Sequence, residues 1–123
     1  MEKTILIADD DRDFVGLLKE SLALKGYNVV TAYDGRTALD LIKLYKPDLA
    51  ILDVMIPEID GFAMMLEARE KEELKRMPVI MMTDKPELRR MFDRTKEIRI
   101  NAWFIKPFNI NKLVKKVREI LSR

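Results

Sequence analysis

The side chains in this sequence that could carry chemistry each follow a short apolar run. Asp9, Asp10 and Asp11 follow Ile5-Leu6-Ile7-Ala8, and Asp53 follows Leu49-Ala50-Ile51-Leu52. Thr83 follows Val79-Ile80-Met81-Met82, and Lys106 follows Ala102-Trp103-Phe104-Ile105 and precedes Pro107. The set is carboxylates, one hydroxyl and one ammonium. Clustered carboxylates repel, and burial raises the cost of their charge. A cation must offset this. Lys106 supplies one positive charge. A hard divalent ion supplies two and takes oxygen ligands, with water filling the rest of an octahedron. Mg2+ is the expected occupant, with Mn2+ as the substitute. A carboxylate beside such an ion can attack phosphorus and become an aspartyl phosphate. The ion and the ammonium would neutralise the oxygens of the group in transfer.

Composition removes most other chemistry. The chain has no cysteine and no histidine, which excludes disulfides, thiol and imidazole catalysis and nearly all zinc-site designs. Its 123 residues suit one domain, 1–123, with a real core. The longest apolar runs, residues 49–52 and 78–82, are far too short to cross a bilayer. Met1-Glu2-Lys3-Thr4 lacks the layout of a signal peptide. A cytoplasmic protein without membrane contact is expected. Residues 1–84 hold 17 acidic and 11 basic side chains, whereas residues 85–123 hold 4 acidic and 12 basic ones. The first part could attract a cation and the second an anionic partner.

Two kinds of segment alternate along the chain. Residues 4–8, 28–32, 49–52, 79–82 and 102–105 read as strands, being short, apolar and rich in β-branched side chains. Between them lie stretches with helical spacing. The first helix runs over 11–25 with Asp11 as N-cap, Phe14, Leu18 and Leu22 on one face, and Gly26 as C-cap. Others are expected over 36–45, 62–74, 85–98 and 110–121, the last after Asn109. Five strands alternating with five helices predict an α/β fold: a doubly wound, flavodoxin-like parallel sheet in the order 2-1-3-4-5. Ligands of such sheets bind beyond the carboxyl ends of the strands. That rim is where Asp9, Asp10, Asp53, Thr83 and Lys106 would meet.

With these residues in view, the sequence resembles the receiver domains of two-component response regulators, the family that includes the chemotaxis regulator CheY. The likeness covers essentially the whole chain. It is carried by Ile5-Leu6-Ile7-Ala8-Asp9-Asp10-Asp11, by Asp48 to Asp53 followed by Pro57-Glu58-Ile59-Asp60-Gly61, by Thr83, and by Lys106-Pro107-Phe108. The resemblance implies a phosphoprotein switch in signal transduction and phosphorelay rather than an enzyme proper. Such a domain promotes its own phosphoryl transfer and slow dephosphorylation. Asp53 matches the phosphoacceptor, and Asp10 the direct metal ligand. Asp9 matches the companion acid acting through water, and the Met55 backbone carbonyl the third protein ligand. Thr83 matches the switch hydroxyl, and Lys106 the lysine that pairs with a phosphoryl oxygen. The implied donor is a histidine kinase or histidine phosphotransfer protein. The implied output protein docks on the face formed by the fourth helix, fifth strand and fifth helix. The resemblance also implies a monomer or a weak phosphorylation-dependent dimer.

The departures define alternatives. Trp103 stands where the family carries Tyr, Phe or His as a rotating switch aromatic, and simple core packing would explain it equally. Arg99-Ile100 replace a common Gly-Ala pair. Asp84 follows Thr83 where a small residue is usual; with Pro86 and Glu87 it forms a capping-box pattern for the fourth helix. Asp11 serves as a helix cap, and Thr83 alone could be an ordinary strand residue. A non-phosphorylated pseudo-receiver acting as an interaction module is the main competing reading. A flavin carrier would want a phosphate loop where Asp9-Asp10-Asp11 would repel phosphate. An Asp-nucleophile phosphatase would want a second Asp where Met55 stands. A chain stopping at Arg123 reads either as a stand-alone regulator or as a receiver excised from a longer protein. The basic side chains Arg89, Arg90, Arg94, Arg99, Lys112, Lys115 and Lys116 suit an acidic protein partner. Without a recognition motif, no direct nucleic-acid binding is expected.

Overall fold

In the computed structural model, which describes residues 2–93 and 98–122, five parallel strands form one sheet in the order β2-β1-β3-β4-β5. The strands are β1 (Thr4–Ala8), β2 (Asn28–Ala32), β3 (Leu49–Asp53), β4 (Val79–Thr83) and β5 (Ala102–Ile105). The helices are α1 (Arg12–Ala23), α2 (Gly35–Tyr45), α3 (Gly61–Ala68), α4 (Arg89–Asp93) and α5 (Ile110–Leu121). Short 3-10 turns lie at Glu72–Leu74 and Pro86–Leu88. The fold class and strand order expected from the sequence are therefore observed.

Alternation along the strands sorts their side chains to two faces. Leu6, Ala8, Ala50, Leu52, Val79 and Met81 join Ala38, Leu39, Ile42, Met64 and Met65 in one core. Ile5, Ile7, Leu49, Ile51, Ile80 and Met82 join Val15, Leu18, Leu22, Leu113 and Val117 in the other. The central strands β3 and β4 are buried along their whole length, as a sheet covered on both faces demands. Each fully buried Leu or Ile contributes about 1.5–3 kcal/mol of transfer free energy, so the centre of the sheet is its firmest part.

Helix ends follow local chemistry. Asp11, Asp34, Asp60 and Asn109 cap α1, α2, α3 and α5 by accepting backbone N–H groups. At the end of α1 the Tyr27 N–H donates to Leu22 O and the Gly26 N–H to Ala23 O. Gly26 has φ +93, completing the left-handed stop that this glycine suggested.

Two helices depart from expectation. The third, expected over 62–74, ends at Ala68. The polar run Arg69-Glu70-Lys71-Glu72-Glu73 offers no apolar face to continue it. Instead the Arg69 guanidinium donates to Leu74 O, to Met77 O at 2.9 Å and to Arg99 O at 3.4 Å, folding the chain around itself. The fourth, expected over 85–98, begins as the 3-10 turn and continues as α4. Its residues 94–97 lie outside the described residues, and Ile98 is not helical. The capping box proposed for Asp84 does not form: the turn has no side-chain cap. The Thr83 hydroxyl accepts the Lys85 N–H at 3.0 Å in its place.

Candidate phosphoacceptor site

The carboxyl ends of β1, β3, β4 and β5 open into one cleft lined by Asp9, Asp10, Asp11, Asp53, Met55, Asp84, Lys85 and Lys106. The parallel register fixes this convergence. Ala8 pairs with Leu52, Asp53 with Met82, and Thr83 with Ile105, so each strand releases its next residue at the same edge.

Lys106 organises the floor. Its Nζ lies 2.6 Å from Asp9 Oδ2 and 2.6 Å from Asp53 Oδ2. Asp9 is fully buried and Asp53 nearly so. The second oxygen of each carboxylate is held by backbone: the Asp11 N–H donates to Asp9 Oδ1 at 3.0 Å, and the Met55 N–H to Asp53 Oδ1 at 2.8 Å. Neither carboxylate can rotate without giving up two partners. The Lys106–Pro107 peptide is cis.

Two opposing effects act on Asp53. Burial raises its pKa, the Lys106 bond and charge lower it, and the Asp9 charge raises it again. Burial prevails, so the carboxyl sits above its ordinary 3.8. For Lys106, burial acts to lower the pKa, but the bonds to Asp53 and Asp9 outweigh it and the ammonium is held above 10.5.

The remaining residues take distinct positions. Asp10 is exposed at the cleft wall and makes no hydrogen bond or ion pair among the described residues. Thr83 is buried, with its hydroxyl engaged to the Lys85 backbone. Trp103 is not at the cleft. It is half-buried, edge-on to Phe92 at 5.2 Å, with Arg89 at 5.9 Å over its ring. Phe62 continues the aromatic chain through Phe92. Of the basic side chains, Arg89, Arg90, Arg99, Lys112 and Lys115 are exposed. Lys116 is half-buried and bridges to Glu119 at 3.1 Å, and Arg94 lies outside the described residues.

The donors fit a hard cation. Asp9, Asp10 and Asp53 offer carboxylate oxygen, Met55 offers its carbonyl, and no imidazole or thiolate competes, because histidine and cysteine are missing. Among the described residues no three acidic side chains are drawn into a ready-made cage. An open oxygen set suits an ion that keeps several waters, as Mg2+ does.

Sequence reasoning missed one supporting residue, Gly35. A Cβ there would lie 2.0 Å from Ile59 O, and the Gly35 N–H donates to Pro57 O at 2.7 Å. The loop after Asp53 rests on that bare backbone. In the sequence Gly35 merely precedes the helix expected over 36–45; the close approach depends on Ile59, 24 residues away.

Comparison with known proteins agrees with the geometry. The family model "Response regulator receiver domain" matches residues 5–118, and the chain belongs to that family. It is 37% identical over 100% of its length to the alkaline phosphatase synthesis transcriptional regulatory protein PhoP of Bacillus subtilis, covering 50% of that protein. It is 41% identical over 97% of its length to the transcriptional regulatory protein CpxR of Escherichia coli, covering 49%. The chain thus spans about half the length of the curated relatives it matches. Among solved structures it is similar to the chemotaxis response regulator CheY4 of Vibrio cholerae, with a TM-score of 0.87 and 28% identity, covering 98% of this chain and 99% of that one. Among the described residues no helix is long and apolar enough to cross a membrane.

Proposed function

We propose that the chain accepts a phosphoryl group onto Asp53 from a histidine kinase or histidine phosphotransfer protein, in a reaction that depends on Mg2+ or Mn2+. The observation that carries this is Lys106 Nζ at 2.6 Å from both Asp9 and Asp53 on the floor of an acidic cleft. The transfer forms an O–P bond to the Asp53 carboxylate and breaks the P–N bond of the donor's phosphoimidazole. The bonding pair returns to the ring nitrogen. Lys106 is placed to follow a phosphoryl oxygen, since its ammonium already bridges two anionic oxygens. Asp10, Asp53, the Met55 carbonyl and, through water, Asp9 would hold the ion, which supplies charge neutralisation at the transferring group.

The output follows from Thr83. Its O–H would leave the Lys85 carbonyl and donate to a phosphoryl oxygen, and the released turn at Pro86–Leu88 would bias α4, β5 and α5. Trp103, packed on Phe92, would feel that movement. A partner then docks on this face. The relatives named as transcriptional regulators are twice as long, so the partner can be an output unit of a longer chain. The test is labelling by acetyl phosphate with Mg2+. Wild type should take up label, and Asp53→Asn and chelator-treated protein should not. Wild type that binds Mg2+ yet takes no label would instead be a non-phosphorylated interaction module.

A further inference from the structure

We propose that Met55 is a site of reversible oxidation by peroxide, and that its sulfoxide shortens the lifetime of the phosphoryl group on Asp53; the second half rests on the function proposed above. Met55 is 52% exposed, whereas Met64, Met65, Met77, Met81 and Met82 are between 0% and 5% exposed. A peroxide in solution therefore reaches its thioether ahead of those five. Alternation places it there: Val54 and Ile56 on either side are buried, so the backbone that turns them inward turns Met55 out.

The exposed thioether also has a definite place. Met55 lines the same cleft as Asp53, Lys85 and Lys106, and its N–H is the group that holds Asp53 Oδ1. Met55 is the apolar side chain in a wall otherwise made of charged residues. In the reaction the peroxide O–O bond breaks and one oxygen bonds to sulfur. Sulfur is oxidised by two electrons, and the other oxygen leaves as water. The product is polar and accepts hydrogen bonds. A sulfoxide oxygen there can hold a water beside the acyl phosphate, or draw the Lys85 or Lys106 ammonium toward itself. Either change favours hydrolysis. Sulfoxide reductases reverse the modification.

The experiment treats the full chain with graded hydrogen peroxide and maps the oxidised peptides by mass spectrometry. Treated and untreated halves are then labelled with acetyl phosphate and Mg2+, and the label is chased. Met55 sulfoxide should form before oxidation of the five buried methionines. The half-life of the label should shorten about fivefold, the rate equivalent of one net hydrogen bond. Reductase should restore it. Met55→Leu, compared with its own untreated half, should show no peroxide response. An unchanged half-life in fully Met55-oxidised protein overturns the inference, as does an equal shortening in Met55→Leu. Untreated wild type that takes no label overturns the phosphoacceptor reading, and the lifetime claim with it.

Discussion

The Thr83 hydroxyl and the Lys85 backbone form a closed pair: Oγ1 accepts the Lys85 N–H at 3.0 Å and donates to the Lys85 carbonyl at 3.3 Å. Thr83 is fully buried, so its removal leaves that N–H without its partner. Thr83→Ala should lower stability by about 1–2 kcal/mol, a lost hydrogen bond plus a partly unsatisfied donor. Urea denaturation without phosphoryl donor measures this. An unchanged midpoint would mean that the turn at Pro86–Leu88 holds without the hydroxyl.

Asp53 gives a pH dependence of definite sign. Its folded pKa lies above 3.8 because burial outweighs Lys106. The folded state therefore binds more protons than the unfolded state between 3.8 and the folded value. The contribution of this group is fully present below 3.8 and is lost as pH rises through the folded pKa. Wild type minus Asp53→Asn, followed by urea denaturation across that range without divalent ions, should fall as pH increases. A difference that rises with pH would show that Lys106 prevails over burial.

Divalent ions should stabilise the fold if, as proposed, they bind the gathered oxygens and not the unfolded chain. At a concentration about a hundredfold above Kd the gain is about 2.7 kcal/mol. A thermal melt with and without Mg2+ should show a raised midpoint in wild type, and a much smaller rise in Asp10→Asn. An equal rise in both proteins would remove Asp10 from the ligand set.

Gly35→Ala tests the support of the loop after Asp53. The new Cβ would collide with Ile59 O at 2.0 Å, a backbone atom that cannot move alone. Overpacking of this kind costs about 1–3 kcal/mol. Stability should fall by that order, and the backbone amide resonances of residues 55–60 should shift more than those of α5. A neutral substitution would mean that the loop has free space to retreat.

The legible part of this molecule was the part set by alternation. β1, β2 and β5 have the expected bounds, and β3 and β4 each extend one residue further, to Asp53 and Thr83. Asp9, Asp10, Asp53, Thr83 and Lys106 could be located because they stand just past apolar runs. What could not be read depended on long side chains and distant contacts. Arg69 ends α3 by collecting carbonyls from Leu74, Met77 and Arg99, and no local pattern announces that reach. Asp84 looked like a cap, but the Thr83 hydroxyl, on a fixed strand end, was already in position. The two-carboxylate grip of Lys106 depends on side-chain torsions that spacing does not encode.

Arg69 has a consequence for how the two ends of the sheet respond to acid. Its half-buried guanidinium is bound only by peptide oxygens and by no carboxylate among the described residues. Peptide oxygens have no proton to gain across the range in which Asp53 changes charge. The knot at the amino-terminal edge of β4 and β5 therefore keeps its grip as pH changes across that range, and only the opposite edge, where Asp53 sits, responds. A change of pH should be felt on one side of this molecule only.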